Sequence, residues 1–176
     1  MSPTVQTPPA AEYAPAFARY VSRVGDEDIL EALDRQTAEV SAIFGPLSDE
    51  RADFRYAPDK WSPREMLGHI GDGERVMGYR AMVIARGERQ PLPGFDENEY
   101  MLDAPFSSRP LRETLQHFAH LRASNVLMLR QLQPEHWLRV GTASGHPASV
   151  RALAWVLVGH VRHHLAVLAD RYGIPG

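Results

Sequence analysis

The segment Gly159-His160-Val161-Arg162-His163-His164 decides how this chain folds and where its chemistry lies. It belongs to a helical pattern in which apolar residues and two histidines share one stripe: Leu153, Leu157, His160, His164 and Leu168. Residues four apart in a helix lie on one face about one turn apart, so the two imidazoles can point nitrogens at one place. His163 lies well round the helix and is expected at the rim or in solvent. The segment predicts a core-facing helix with a histidine pair at metal-ligand spacing.

The same pair has a second interpretation. An unpaired imidazole on an apolar face is costly, so both rings could be core histidines satisfied by ordinary hydrogen bonds. Two histidines also leave a metal under-coordinated, because a catalytic zinc-type site has three protein ligands and an open position. The natural third ligand is His69, which lies in another core-facing helix. His117 and His120 lie off the apolar stripe of their helix and are expected to be exposed. His136 and His146 are expected in loops.

Four helical segments dominate the hydrophobic pattern. Their expected bounds are Asp26 to Gly45, Ser62 to Arg86, Pro110 to Leu132 and Ser149 to Gly173. The second has the strongest start, because Ser62 can cap the helix, Pro63 takes its first position and Glu65 completes a capping box. No segment alternates apolar and polar residues over five positions between turn signals, so no strand is expected. The pattern predicts an all-α four-helix bundle.

A single domain is expected to cover residues 12–176, since this length suits one domain with a real core. Residues 1–11 are rich in Pro, Thr and Ala and are expected to form a disordered or loosely packed tail. A short helix within Tyr13 to Val24 is expected to cover one end of the core.

The second helical segment also offers a candidate catalytic residue. Asp72 lies three residues after His69 and could accept a proton from water or orient a ligand. The alternative is a solvated helix flank. Gly71 and Gly73 each reduce helix propensity by about 1 kcal/mol relative to Ala. Such glycines usually mark the close approach of another element or of a ligand.

The connection 87–109, between the second and third helices, is unusually long. Connections of this length in compact domains are more often functional than idle. If this one folds back over an end of the bundle, it can bring Asp96, Glu97 and Tyr100 toward the histidines.

Bulk composition excludes several classes of protein. The net charge of −3 gives no electrostatic footprint for nucleic acid or for an anionic membrane. The absence of cysteine excludes a disulfide scaffold, a Cys-ligated zinc and a cysteine nucleophile. No apolar run approaches the ~20 residues needed to span a bilayer, and the N-terminus lacks the features of a signal peptide. A cytoplasmic protein with neither nucleic acid nor membrane as a partner is expected.

The motifs together resemble the DinB/YfiT-like superfamily. The resemblance covers roughly Ile29 to Tyr172 and is carried by Trp61 to Arg75, by Gly78-Tyr79-Arg80 and by His160-x-x-His163-His164. A lone helical histidine and a distant His-x-x-x-His pair occur in the order typical of that superfamily. The resemblance implies a four-helix bundle with a divalent metal, often nickel or zinc, whose ligands map to His69, His160 and His164. It also implies a homodimer.

The resemblance leaves several functions open. Some relatives in that superfamily are transferases and isomerases that use a low-molecular-weight thiol such as bacillithiol, mycothiol or glutathione, and others are described as metal-dependent hydrolases. The leading hypothesis is a thiol S-transferase acting on a small-molecule substrate, because a metal ion can bind and deprotonate the thiol of a cosubstrate. The second is hydrolysis by a metal-bound water whose pKa falls to about 7. The third is a metal-binding stress-response bundle without catalysis. DNA binding has no basic helix to support it.

Overall fold

The computed structural model describes residues 5–175. These residues contain α1 (Ala18–Val21), α2 (Ile29–Phe44), α3 (Asp49–Asp53), α4 (Pro63–Ala85), α5 (Glu97–Asp103), α6 (Leu111–Arg130), α7 (Pro134–Trp137), β1 (Val140–Ala143), β2 (His146–Ser149) and α8 (Val150–Tyr172). Short 3-10 turns lie at Ala10–Glu12, Pro15–Phe17 and Pro105–Ser108. The four long helices α2, α4, α6 and α8 form the bundle, which confirms the predicted all-α four-helix fold.

The helix starts follow from local capping chemistry. The Ser62 side chain accepts a hydrogen bond from the Glu65 backbone N–H at 3.3 Å, and the Glu65 carboxylate accepts one from the Ser62 N–H at 2.7 Å. This is the predicted capping box of α4. The expected start of α2 at Asp26 is two residues too early, because Asp28 caps the helix by accepting hydrogen bonds from the Leu30 and Glu31 backbone N–H groups.

The four helices pack in an order that differs from their order in the chain. α4 packs against α8 and α6, and α2 packs against α6 and α8. The order around the bundle is therefore α2, α6, α4, α8, with α2 diagonal to α4. Diagonal crossings need long connections, and both the α2–α4 and the α6–α8 segments provide them. This arrangement places α4 beside α8 and so brings the distant histidine segments together.

The core divides into two apolar clusters along the bundle axis. One includes Leu33, Met77, Val126 and Leu157, and the other includes Val40, Ile70, Phe118 and Val161. Between them lies a polar layer formed by Gln36, Glu74, Arg122 and Asn125. Arg122 donates to Glu74 at 2.6 and 3.1 Å and to the Gln36 side-chain oxygen at 2.8 Å. The bundle thus buries a satisfied ion pair at its middle.

The connection between α6 and α8 contains a β-hairpin, so the expectation of no strand is wrong. β1 and β2 pair antiparallel, with Val140 opposite Ser149 and Ala143 opposite His146. The two-residue turn between them has positive φ at Ser144 (53°) and Gly145 (77°), as in the tight turns that join twisted strands. Each strand has only four residues and no clear alternation, so periodicity gave no signal.

The connection between α4 and α6 is not a plain loop. It contains α5 and a 3-10 turn, and Leu92 pairs with the hairpin: its N–H donates to Thr142 O at 2.8 Å, and its carbonyl accepts from Ser144 N at 3.1 Å. Further along, Phe106 lies so close to Gly68 of α4 that a β-carbon there would collide with the ring. The connection folds back over the bundle, as its length suggested.

Residues 5–11, for which composition predicts a disordered or loosely packed tail, are exposed except for two. Pro8 is buried and Val5 packs against the first apolar cluster. Glu12 anchors the following turn, since its carboxylate accepts a hydrogen bond from Arg151 at 2.7 Å. Residues 1–4 lie outside the described part of the chain. The helix expected within 13–24 is reduced to a 3-10 turn and α1.

α8 corrects the prediction that no apolar run approaches the length of a membrane span. Over an 18-residue window its mean hydropathy is 1.3, enough by length and composition to cross a bilayer. Within the bundle, 61% of that window is buried, so the hydropathy of α8 matches its position as a core helix.

Candidate metal centre

The structure brings together the three histidines that the sequence singles out. His69 lies on α4, and His160 and His164 lie one turn apart on α8. The His160 Nε2 atom is 2.9 Å from Nε2 of His69 and 3.0 Å from Nε2 of His164. The rings of His69 and His164 are 4.9 Å apart between centroids. One atom of each ring therefore faces a common point, and this set is called the histidine cluster below.

These separations fit a divalent cation. Nitrogens bound to one zinc-like ion at about 2.0–2.1 Å lie roughly 3 Å apart, which matches both Nε2 distances. Hydrogen bonding alone satisfies the cluster poorly. A neutral imidazole has one N–H and one lone pair, so His160 Nε2 cannot both donate and accept, yet two rings point at it. A cation accepts all three lone pairs at once.

Burial keeps the three rings neutral. Desolvation lowers the pKa of His69 to about 4, although the nearby Glu97 carboxylate opposes this shift. Desolvation also holds the pKa values of His160 and His164 well below the usual range, and the neighbouring histidines lower them further. At neutral pH the lone pairs are therefore available to a metal, which needs unprotonated imidazoles.

Aromatic side chains hold the cluster from both sides. The indole of Trp61 lies 4.7 Å from the His69 ring, between centroids, and the Trp61 carbonyl accepts a hydrogen bond from the Tyr172 hydroxyl. The Tyr20 ring approaches His160 edge-on at 5.3 Å. These contacts fix the orientation of two of the three imidazoles.

Two glycines allow the helices around the histidine cluster to approach one another closely. A β-carbon at Gly73 would lie 3.0 Å from the His160 ring, so this position admits α8 because it has no side chain. At Gly159 a β-carbon would collide with the Tyr20 backbone, which explains how α1 reaches the cluster. The prediction of close approach is confirmed for Gly73. It is wrong for Gly71, whose nearest neighbour, the Leu121 side chain, would be 4.0 Å away.

His163 does not belong to the cluster, but it is less exposed than predicted. Its half-buried ring lies 5.5 Å from Tyr20 and 5.1 Å from His164, between centroids. The N-terminal segment covers this side of α8, which the helix pattern alone did not reveal. Within residues 5–175, neither His163 Nδ1 nor His164 Nδ1 has a hydrogen-bond partner.

A cavity of about 450 Å³ opens beside the cluster. Its wall includes His69, His160 and apolar side chains of α4, α8 and the N-terminal turn: Met77, Val156, Leu157 and Phe17. Charged groups in the wall are few: Arg19, Arg80 and Glu97. Ser144 and His146 of the hairpin complete it, so an element that the sequence did not predict forms part of the site. A largely apolar pocket with a few polar groups is typical of a small-molecule site.

Glu97 is the acidic residue that the folded-back connection brings to the cluster. It begins α5, lines the cavity, and its charge acts on the His69 ring. Of the other two residues considered in that connection, Asp96 caps α5 by accepting hydrogen bonds from the Asn98 and Glu99 N–H groups. Tyr100 lines a different cavity.

Asp72 also lies in that different cavity, of about 710 Å³, with Tyr100, Arg109 and His117. It is half-buried, and desolvation raises the pKa of its carboxyl. Asp72 is not among the residues that line the cavity beside the histidine cluster. His117 and His120 are exposed, as predicted, and His117 contacts Arg75.

The fold and the cluster define a class: helical bundles in which two neighbouring helices bring three histidines together beside a cavity. The family model of the DinB superfamily matches residues 32–168, well over half of the chain. The protein belongs to the DinB superfamily, which confirms the resemblance drawn from its motifs.

Individual relatives agree with this assignment. The chain is 24% identical over 152 residues to a protein of Oceanobacillus iheyensis (82% of this chain, 85% of the relative). It is 27% identical over 152 residues to a protein of Bacillus pumilus (80% and 83%). Both carry the provisional name of metal-dependent hydrolase. In fold, it is similar to YfiT from Bacillus subtilis, described as a probable metal-dependent hydrolase with an unusual four-helix bundle topology. The TM-score is 0.73 and the identity 16%, over 98% of this chain and 97% of that one.

Proposed function

We propose that this protein is a metal-dependent hydrolase in which His69, His160 and His164 hold one divalent ion, nickel or zinc. The observation that carries the proposal is the convergence of three neutral imidazoles on one point beside a cavity. The provisional names of the two curated relatives support hydrolysis over other metal chemistry. The substrate is a small molecule, because the cavity of about 450 Å³ accommodates one.

A divalent ion held by these three histidines would lower the pKa of a water bound to it to about 7. Glu97 would take the proton, since it lies in the cavity wall with His69 and its charge acts on that ring. It replaces Asp72 as the candidate general base, because Asp72 faces the other cavity. The walls formed by Met77, Val156 and Leu157 hold the apolar part of the substrate and exclude bulk water from it.

Thiol S-transfer is the second candidate, and the charges in the cavity favour it. Glu97 and Arg80, both in the cavity wall, suit a thiol that carries both ammonium and carboxylate groups, such as glutathione. The chain has no cysteine, so the sulfur nucleophile would come from the cosubstrate. Its sulfur would form a bond to an electrophilic carbon, whose leaving group departs with the bonding pair, and Glu97 would accept the thiol proton.

One assay series separates these functions. Protein loaded with zinc or nickel is given a panel of esters and amides without thiol, and then electrophiles with glutathione, bacillithiol or mycothiol. Turnover without thiol supports hydrolysis, and thiol consumption that requires the metal supports transfer. If a fully loaded site does neither, both proposals fail and a metal-binding bundle without catalysis remains.

Glu97 has a matched control. Glu97→Gln is expected to lower kcat about 10²-fold or more while metal content stays the same, because general-base catalysis typically contributes that much. Glu99→Gln, two residues on, changes a carboxylate in the other cavity and is expected to leave kcat unchanged. Equal rates for Glu97→Gln and the wild-type protein would remove Glu97 from the mechanism.

The homodimer and the cytoplasmic location implied by the resemblance are part of the same proposal. Light scattering of the metal-loaded protein at micromolar concentration checks the dimer: a mass of twice 19.7 kDa is expected. A monomeric mass across that range would contradict it.

A further inference from the structure

Arg80 is buried without a counter-ion among the described residues. Only 3% of it is exposed, and no carboxylate of residues 5–175 lies within 4.0 Å of its guanidinium. Its Nη2 donates to Pro93 O at 2.7 Å and to the Ser144 hydroxyl at 3.0 Å, and the Phe95 ring lies 5.7 Å away. Burying an uncompensated charge is strongly unfavourable, so this position needs an explanation.

The other two buried arginines of the described chain show what a structural role looks like. Arg64 forms ion pairs with Asp49 and Asp53 at 2.8 and 2.6 Å. Arg122 forms an ion pair with Glu74 at 2.6 Å. Each has a carboxylate within the protein, whereas Arg80 has only neutral partners. Guanidinium groups bind carboxylates through paired N–H donors, and Arg80 keeps donors beyond the two that its neutral oxygen partners use.

Arg80 shares the cavity of the histidine cluster. His69, Gly73, Met77 and Arg80 all lie in its wall, and all four come from one face of α4. His69 and Arg80 are eleven positions apart, about 16 Å along the helix at ~1.5 Å per residue. The Arg80 side chain leans back toward the N-terminus of α4, as its contact with the Met77 sulfur indicates, and this shortens the gap. The wall between the two ends is apolar.

We infer that Arg80 binds a carboxylate of the reactant, so that the cavity selects elongated molecules with an anionic group at the end opposite to the histidine cluster. The inference deepens the proposed function and rests on it for the location of the reacting bond. Pro93 and Ser144 hold the guanidinium in place, and the ligand carboxylate supplies the missing counter-ion. The cluster end of the same cavity carries both Glu97 and the solvent-exposed Arg19, whereas Arg80 is a buried cation with no carboxylate of the described residues beside it.

The first test measures binding without metal and without catalysis. Hexanoate and its neutral isostere hexanamide are titrated into metal-free protein, with binding followed by NMR. Wild-type protein is expected to bind hexanoate about 10-fold more tightly than hexanamide, since a hydrogen-bonded charge pair typically contributes a factor of this size. Arg80→Met is expected to abolish that preference, and Arg80→Lys, which keeps the charge and is the safer variant for folding, to retain part of it.

Two arginines serve as controls. Arg19→Met removes the exposed arginine of the same cavity, and Arg86→Met removes an exposed arginine at the end of α4; both are expected to keep most of the preference. The inference is overturned if wild-type protein shows no preference for hexanoate. It is also overturned if Arg80→Met and Arg80→Lys bind hexanoate as tightly as the wild type. A third contradicting result is that Arg19→Met loses the preference for hexanoate while Arg80→Met keeps it.

The second test asks about turnover. Zinc-loaded protein is given 4-nitrophenyl octanoate and the mono-4-nitrophenyl ester of octanedioate, which differ by a terminal carboxylate. The ratio of their kcat/KM values is expected to favour the anionic ester about 10-fold and to approach one in Arg80→Met. If Arg80 governs hexanoate binding but no ester is turned over, the proposed function fails and the inference stands. If both esters are turned over and Arg80→Met leaves the ratio unchanged, the proposed function stands and the inference about Arg80 fails.

Discussion

Two buried polar clusters meet on α4, and they differ in how their atoms are satisfied. In the polar layer, the Arg122 guanidinium and the Glu74 carboxylate bind each other, and Gln36 and Asn125 complete their hydrogen bonds. In the histidine cluster, the ring nitrogens face one another, and His164 Nδ1 has no partner in the described chain. Polar groups that support the fold find partners inside the protein. In the histidine cluster, one cation can satisfy the three imidazole nitrogens that converge on one point.

Arg80 extends the comparison to charge. Arg122 and Arg80 are both buried arginines, and only Arg122 has a carboxylate partner within residues 5–175. The cavity side of α4 therefore carries both the converging lone pairs and the uncompensated cation, while Glu74, about 100° round the helix from Gly73, forms a closed pair with Arg122. Substitutions can disrupt the histidine cluster or the polar layer separately.

Loss of the metal is the largest expected effect. His160 contacts both other rings, so His160→Ala should reduce bound metal from about one ion per chain to less than a tenth of that, because two histidines under-coordinate a divalent ion. Metal content after dialysis, measured by mass spectrometry, checks this. His163→Ala is the control, since His163 lies outside the cluster and should leave the content nearly intact. Unchanged metal in His160→Ala, or loss of metal in His163→Ala, would contradict the ligand assignment.

Breaking the polar layer should instead cost stability. Glu74→Ala leaves Arg122 buried without its carboxylate, which typically lowers the free energy of unfolding by about 3–5 kcal/mol. His160→Ala in metal-free protein should cost less, because it removes hydrogen bonding between neutral rings, typically about 1 kcal/mol per bond, and leaves no buried charge unpaired. Urea unfolding of both variants without metal gives the comparison. Equal losses in the two variants would mean that the clusters do not differ in the way proposed.

The sequence was most informative where one local signal sets one structure. The capping box at Ser62 and the apolar stripe around His160 predicted two helices and the metal-ligand candidates, because these patterns depend on short-range geometry. The pattern did not decide which glycine meets a neighbouring helix: close approach is confirmed for Gly73 and wrong for Gly71. The contact between α4 and α8, however, could not be predicted from the sequence. It depends on which connections cross the bundle, and tertiary packing decides that.

What the sequence missed depends on contacts between distant segments. Ser144 enters the cavity wall through a hairpin whose short strands carry no periodic pattern. Glu97 reaches His69 only because the connection after α4 folds back and pairs with that hairpin. Asp72 was chosen by its spacing from His69, but a three-residue step turns it toward the other cavity. A helix position predicts a face, and packing decides which cavity that face meets.

The two glycines of α4 test how closely the cluster is packed. Gly73→Ala adds a methyl group 3.0 Å from the His160 ring, so the ring must shift, and metal affinity should fall about 10-fold, the lower end of what displaced supporting groups cause. Gly71→Ala adds the same methyl group where its nearest neighbour is 4.0 Å away. It should leave affinity unchanged and raise stability by up to about 1 kcal/mol, from helix propensity. Competition with a chelator measures both affinities. Equal affinities would show that Gly73 is not needed for the approach of His160.

The last expected effect is a pH dependence of the stability of the metal-free protein. The pKa of His69 is about 4 in the folded chain against an ordinary value of 6.5, and His160 and His164 shift in the same direction. Between these values the unfolded chain binds protons that the folded chain does not, so the free energy of unfolding should fall as pH falls from 6.5 toward 4. Glu12 and Glu27 have pKa values lowered from 4.5, so their contribution is lost only at lower pH.

This dependence separates the histidine cluster from the polar layer, whose arginine does not titrate in this range. Urea midpoints at pH 5.0, 6.0 and 7.0 should therefore fall with pH in the wild-type protein. The slope of the urea midpoint against pH should be smaller in His69→Ala, because that variant lacks one of the three imidazoles that are buried in neutral form. Arg122→Met should keep the wild-type slope even if its stability differs at every pH. If His69→Ala and wild type show equal slopes, protonation of this imidazole does not limit the metal-free fold, and the pH dependence must come from other groups.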